Sequence, residues 1–121
     1  MTGITTIEPV DYLLIGHITK DLIPGGFTVG GTVSYAARTA AALGLRVGVV
    51  TSCEPGWLPP ELDGIQVAAY PSEFTTTYEN IHTPNGRIQY IHHQAECLNL
   101  SMVPETWRTA PLVHFAPVAQ E

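Results

Sequence analysis

Charge is scarce in this sequence. Only 13% of its 121 residues are Asp, Glu, Lys or Arg, about half the ~25% of an average soluble domain. Lys20, Arg38, Arg46, Arg87 and Arg108 are the only fixed cations, and against eleven acids they leave a net charge of −6 with neutral histidines. They are scattered singly, which excludes the basic footprint of a nucleic-acid or anionic-lipid binder. A domain this small and this poor in charge is expected to have part of its surface covered by another chain or by further sequence.

Long apolar runs are also missing. None approaches the ~18 residues that would cross a bilayer, so no membrane partner is expected. Residues 1–10 lack the basic and then apolar segments of a secretory signal. Two cysteines, Cys53 and Cys97, make neither a disulfide framework nor a metal spacing and read as reduced thiols of a cytoplasmic protein. Lys20 lies between Thr19 and Asp21, so the Gly-Lys-[Ser/Thr] of a phosphate-binding P-loop is absent. No G-x-G-x-x-G occurs either, and Glu54 after an apolar run means little without that loop. Of the five histidines, His92 and His93 are adjacent and would point to opposite faces of a strand. His17, His82 and His114 show no helical i, i+4 pairing, so no metal site is expected.

What is present is an α/β pattern. Residues 1–10 read as a loose lead-in. The run from Asp11 to Gly16 reads as a buried strand. Residues 17–31, with glycine pairs at Gly25-Gly26 and Gly30-Gly31, read as turn chemistry around at most one short strand. Val33, Ala36, Ala37, Ala40 and Ala41 then draw one helical face, with Thr32 or Ser34 as its cap and Gly44 as its terminator. Leu45 to Ser52 is a second buried strand. Strand, helix, strand predicts a parallel pair and a mostly parallel sheet. Pro60–Leu62 allows one helical turn, and Ile65 to Tyr70 reads as a further strand, completing a βαβ core start over 11–70.

Segment 71–95 reads as a hairpin turning on Asn85-Gly86. That turn would pair Glu79 with His92 and Ile81 with Tyr90 on one face, and Asn80 with Ile91 on the other. Neither face is uniformly apolar, which predicts an exposed flap. A short helix at Val103–Trp107 and a strand at Leu112–Ala116 begin the next core section, 103–121. A parallel strand usually leads into a crossover, so Glu121 is an abrupt end.

The chemistry-bearing stretch is Gly16-His-Ile-Thr-Lys-Asp21 followed by Gly30-Gly31 at a helix start. An acid beyond a buried strand lies where small ligands bind in open α/β sheets. Asp21 can accept hydrogen bonds from two vicinal hydroxyls, and a Gly-Gly turn lets backbone N–H groups approach a ligand. Taken alone, the same residues also read as a turn aspartate and a tight helix entry, and the local pattern favours that plainer account.

The order of these motifs resembles the N-terminal part of a ribokinase-like (PfkB-family) carbohydrate kinase. The carrying residues are Gly16 to Asp21, Gly30-Gly31, the Ala40-Ala-Ala-Leu43-Gly44 helix end, the Val47–Val50 strand, and the strand after Ile65 with its hairpin. The resemblance implies that Asp21 binds substrate hydroxyls, that Gly30 and Gly31 line the substrate site and that Thr19 is a polar contact. The hairpin is the implied lid, through which two copies could pair as a homodimer. It further implies a sugar, polyol or nucleoside substrate, with ATP and Mg2+ as cofactors. Tyr35 stands where many members carry asparagine, a departure that bears on which substrate fits. Glu121 would fall near the sugar or metal. The family's general base, anion hole and ATP loops belong to a later half that has no counterpart in these 121 residues. The expectation is therefore the substrate-and-lid half of a kinase, a fragment not competent alone. The alternative is a non-catalytic ligand-binding or interaction module.

Overall fold

A computed structural model describes residues 7–118. The first strand, β1 (Tyr12–Ile15), is central to a sheet whose strands all run parallel. Its neighbours are β4 (Val47–Cys53) and β8 (Leu112–Phe115), and β5 (Gln66–Pro71) lies beyond β4. All seven residues of β4 are buried, as a strand covered on both faces should be. The α-helix α1 (Thr32–Ala42) covers one face, with Val33, Ala37 and Ala40 against Leu14, Val47 and Val49. Alanine allows that helix to lie close to the sheet. On the opposite face Val10, Leu13, Val50 and Ala68 pack around the fully buried Trp107. The Trp107 indole N–H donates to the Glu8 carbonyl at 2.9 Å. The lead-in is thus docked from residue 7 onward, and residues 1–6 lie outside the described ones.

The largest departure from the sequence expectation is at residues 17–31. This segment forms two strands, β2 (Thr19–Ile23) and β3 (Gly26–Gly30), joined as an antiparallel hairpin. They enter a second sheet with β6 (Thr76–Thr83) and β7 (Gly86–His93), in the order β3-β2-β6-β7. Here β2 runs parallel to β6, and Asp21 lies opposite Tyr78. Asp21 therefore sits in the middle of a strand, not in a turn. The four glycines masked this pairing because they bracket too few apolar residues to show alternation.

Three local expectations are also corrected. The hairpin turns on Pro84-Asn85, with Thr83 opposite Gly86 and Ile81 opposite Ile88. That is a two-residue slip from the Asn85-Gly86 turn, and a slip of two leaves the side chains of 78–83 and 86–91 on their expected faces, while a bulge between Thr77 and Tyr78 puts His93 opposite Thr77. Glu79 and His92 still meet, at 3.0 Å, as diagonal neighbours. Neither Thr32 nor Ser34 caps α1: Gly31 is the N-cap, and the Ser34 hydroxyl donates back to the Gly30 and Gly31 carbonyls. Ala41 is exposed, and buried Ser34 completes the inward face of the helix in its place. Two separate 3-10 turns, Leu100–Met102 and Glu105–Trp107, replace the single short helix.

Candidate functional site

Alternation along β2 puts Thr19 and Asp21 on one face of the second sheet and Lys20 on the other. Thr19 is buried, and its hydroxyl donates to Asp21 Oδ1 at 2.7 Å. That bond fixes the carboxylate and leaves Oδ2 lying over Gly30. A Cβ at Gly30 would come within 2.0 Å of Oδ2 and 2.7 Å of the Thr19 hydroxyl. Only glycine leaves the carboxylate room there. Gly31 is constrained differently: its φ of +91° is unfavourable for any residue with a side chain, and a Cβ would meet the His17 carbonyl at 2.6 Å. The chain turns at Gly31 to start α1, which brings the helix N-terminus beside Asp21.

These groups share one cavity of about 350 Å³, lined by Thr19, Asp21, Gly31, Thr32 and Tyr35 on one side and by Tyr78, Asn80, Arg87 and Gln89 of the hairpin on the other. Tyr35 stands at its mouth, 57% exposed. Asp21 and the glycine pair therefore converge, with Gly30 behind the carboxylate and Gly31 in the wall. Tyr78, Asn80, Arg87 and Gln89 were not singled out from the sequence, although their shared strand face could have been read from the hairpin's alternation. A second cavity of about 330 Å³, between Ile15, Leu98, Leu100 and Phe115, is predominantly apolar and holds no charged group. A carboxylate among hydroxyls and amides suits a ligand rich in hydroxyl groups.

Lys20 is held away from this cavity. Its ammonium pairs with Glu54 at 2.7 Å and lies over the rings of Trp57 and Phe27, 5.2 and 5.6 Å from their centroids. That pairing, first, and the nearby positive charge hold the Glu54 carboxyl below its ordinary range. The remaining cations build no phosphate cradle. Arg46 pairs with Asp11 at 2.9 Å, Arg108 donates to the Leu100 and Val103 carbonyls, and Arg38 and Arg87 stand on different elements. Among the described residues no three His, Cys, Asp or Glu side chains converge as metal ligands. The described residues therefore bring together no set of side chains that fits ATP and Mg2+. Glu121 lies outside the described residues.

Neither a family model nor a curated protein matches the chain. Solved structures do. A pyrophosphate-dependent kinase in the ribokinase family, complexed with a pyrophosphate analog and myo-inositol, superposes with a TM-score of 0.67 at 26% identity, over 88% of this chain and 40% of that one. The chain carries part of a ribokinase-like fold. A sulfate complex of a pyrophosphate-dependent kinase in the same family gives 0.65 at 25% identity, over 88% of this chain and 41% of the other. Apo fructokinase from Vibrio cholerae O395, at 20% identity and a TM-score of 0.59 over 82% of this chain and 40% of its own, shares the fold alone. The chain thus spans about two fifths of the length of these ribokinase-like structures. No helix among the described residues is long and apolar enough to cross a membrane.

Proposed function

We propose that this chain is the acceptor-binding and lid portion of a sugar or polyol kinase. The observation that carries it is the Asp21 carboxylate, oriented by Thr19 over Gly30 and facing the hairpin across one polar cavity. Two hydroxyls of an acceptor would donate to Asp21, backbone N–H groups at the start of α1 would contact a third oxygen, and Tyr35 would cover the entrance. Asn80 and Gln89, held together by a 3.0 Å bond from the Gln89 amide N–H to Asn80 Oδ1, would use their remaining polar atoms on the ligand from the hairpin side. The Tyr78 hydroxyl donates to the Val118 carbonyl. Closing β6 and β7 over the ligand would exclude water, which strengthens each of these interactions and suppresses wasteful hydrolysis of a phosphoryl donor.

The donor side is not built by the described residues, so we assign only its chemical class, a phosphoanhydride such as ATP or pyrophosphate. Turnover by these 121 residues alone is not expected, because transfer needs charge stabilisation around the phosphoryl group. The same lack favours, as a second reading, a module that binds a polyol without transferring phosphate to it. Ile81, Ile88 and Tyr90, each at least 40% exposed, lie on the hairpin face turned away from the cavity. They support pairing of two lids as a homodimer.

Calorimetric titration of the chain with myo-inositol and with fructose tests the acceptor site. Binding of at least one, weakened tenfold or more in Asp21→Asn, is the expected result. Equal binding by the variant would remove Asp21 from the site.

A further inference from the structure

Among the described residues Arg87 is the one cation that lines the proposed acceptor cavity. It stands next to Gly86 at the start of β7 and lies opposite His82 on the face that carries Asn80, Gln89 and Tyr78. Lys20, Arg46 and Arg108 are each engaged by a carboxylate or carbonyls. The Arg87 guanidinium has no hydrogen bond or ion pair with any described residue. Such a group offers a fork of donors shaped for a carboxylate or phosphate.

Its position relative to Asp21 matters. Asp21 lies opposite Tyr78, and Arg87 lies opposite His82 one strand further out. Four residues separate those partners on β6, which is ~13 Å along the strand. The two charged residues thus stand four positions apart along the sheet and two strands apart across it, and both line the cavity together with Asn80 and Gln89. The lining side chains between these charges are neutral. A protein of net charge −6 repels anions at long range, so a local cation such as Arg87 favours holding one here.

We propose that Arg87 selects an acidic polyol: a ligand whose hydroxyls rest on Asp21 and whose far end carries a carboxylate or phosphate. This rests on the acceptor-site reading above and adds the charge of the ligand to it. Arg87 is then a specificity residue that also draws the hairpin down, since a salt contact at its tip forms only with the anion present. The preference weakens as ionic strength rises, because the hairpin tip is exposed and screened.

The test uses pairs that share a carbon skeleton and differ in charge: D-gluconate against D-glucitol, and glucose 6-phosphate against glucose. Each is titrated into the chain, with inorganic phosphate alone as a further arm. The anionic member of at least one pair should bind about tenfold or more tighter. Arg87→Gln should shrink that preference to within about twofold, and Arg87→Lys should retain part of it. Equal binding of acidic and neutral members, with both lost in Asp21→Asn, overturns the role of Arg87 and leaves the polyol site standing. Inorganic phosphate binding as tightly as the tethered anion also overturns it, and assigns the guanidinium to a separate phosphate. Binding of no compound overturns the polyol site and this inference together.

Discussion

Adding a single methyl group at Gly30, and separately at Gly31, should separate ligand binding from folding. At Gly30 the new Cβ would sit 2.0 Å from Asp21 Oδ2, whereas ordinary contact begins at 3.4 Å. Its backbone is not in the left-handed region, and the atoms it meets belong to side chains. Asp21 can rotate away, and the Thr19 hydroxyl, 2.7 Å from the new carbon, must turn with it, so Gly30→Ala should cost about 1 kcal/mol of stability, roughly 4 °C in Tm for a chain of this size. The rotation breaks the 2.7 Å bond from Thr19 and carries the carboxylate off its position by more than an ångström. Losing well-placed charged hydrogen bonds weakens binding by about 10- to 100-fold. At Gly31 the obstacle is backbone: φ is +91° and the Cβ would lie 2.6 Å from the His17 carbonyl. No side chain can yield there, and Gly31→Ala should cost about 3 kcal/mol, roughly 12 °C. Thermal denaturation by circular dichroism reads the stabilities, and calorimetry with myo-inositol or fructose reads the affinities. A Gly30→Ala protein that binds like the parent would refute the idea that this glycine exists to seat the carboxylate.

Three further outcomes follow from other parts of the molecule. Burial, with the Glu54 charge adding to it, pushes the Cys53 thiol up to about 11, while Cys97 is exposed; a thiol reagent at pH 8 should therefore modify Cys97 rapidly and Cys53 only on unfolding, and equal rates would contradict the packing around β4. Glu54 is held low by Lys20, so its folded form favours the ionised state. The resulting stability is present above the ordinary carboxylate pKa and is lost as pH falls through the lowered value. Glu54→Gln should lose up to ~1 kcal/mol at pH 7 and nothing at pH 2 in thermal melts, and an equal loss at both would disprove the pairing. Hydrogen exchange should be fast along β7, exposed over its whole length, and slow at residues 76–78, which are buried; strong protection across β7 would count against a movable lid.

The βαβ core was legible in the sequence because its signals are local and redundant. Buried parallel strands show as unbroken apolar runs at Tyr12–Ile15 and Val47–Val50, and an alanine stripe at helical spacing marks the face of α1. The second sheet was not legible in the same way. β2 and β3 are short and glycine-bounded; β3 pairs only with β2, and β2 joins the sheet through β6, more than fifty residues away, so a window around residue 21 holds the local hairpin but not the strand that anchors it. The Asn85-Gly86 signal gave the hairpin and its faces but misplaced the turn by one position, because Pro84 fits the first turn residue at least as well. The cap of α1 failed for a steric reason: the approach of Gly31 to the His17 carbonyl leaves no room for a capping side chain. Asp21, Thr19 and the glycine pair were found from their order along the chain. Their convergence depends on the β2–β3 hairpin, which that order does not reveal. Arg87, Asn80 and Gln89 reach the cavity only through the β2–β6 pairing, a long-range contact with no local trace.

The most direct test of the central claim is a backbone-amide NMR titration of the chain with myo-inositol, repeated in Asp21→Asn. Shifts confined to Thr19–Asp21, Gly30–Thr32 and the 78–89 region of the hairpin, and absent from the variant, are the predicted result. Shifts centred instead on Leu98–Leu100 and Phe115, or a pattern unchanged by the substitution, would contradict it.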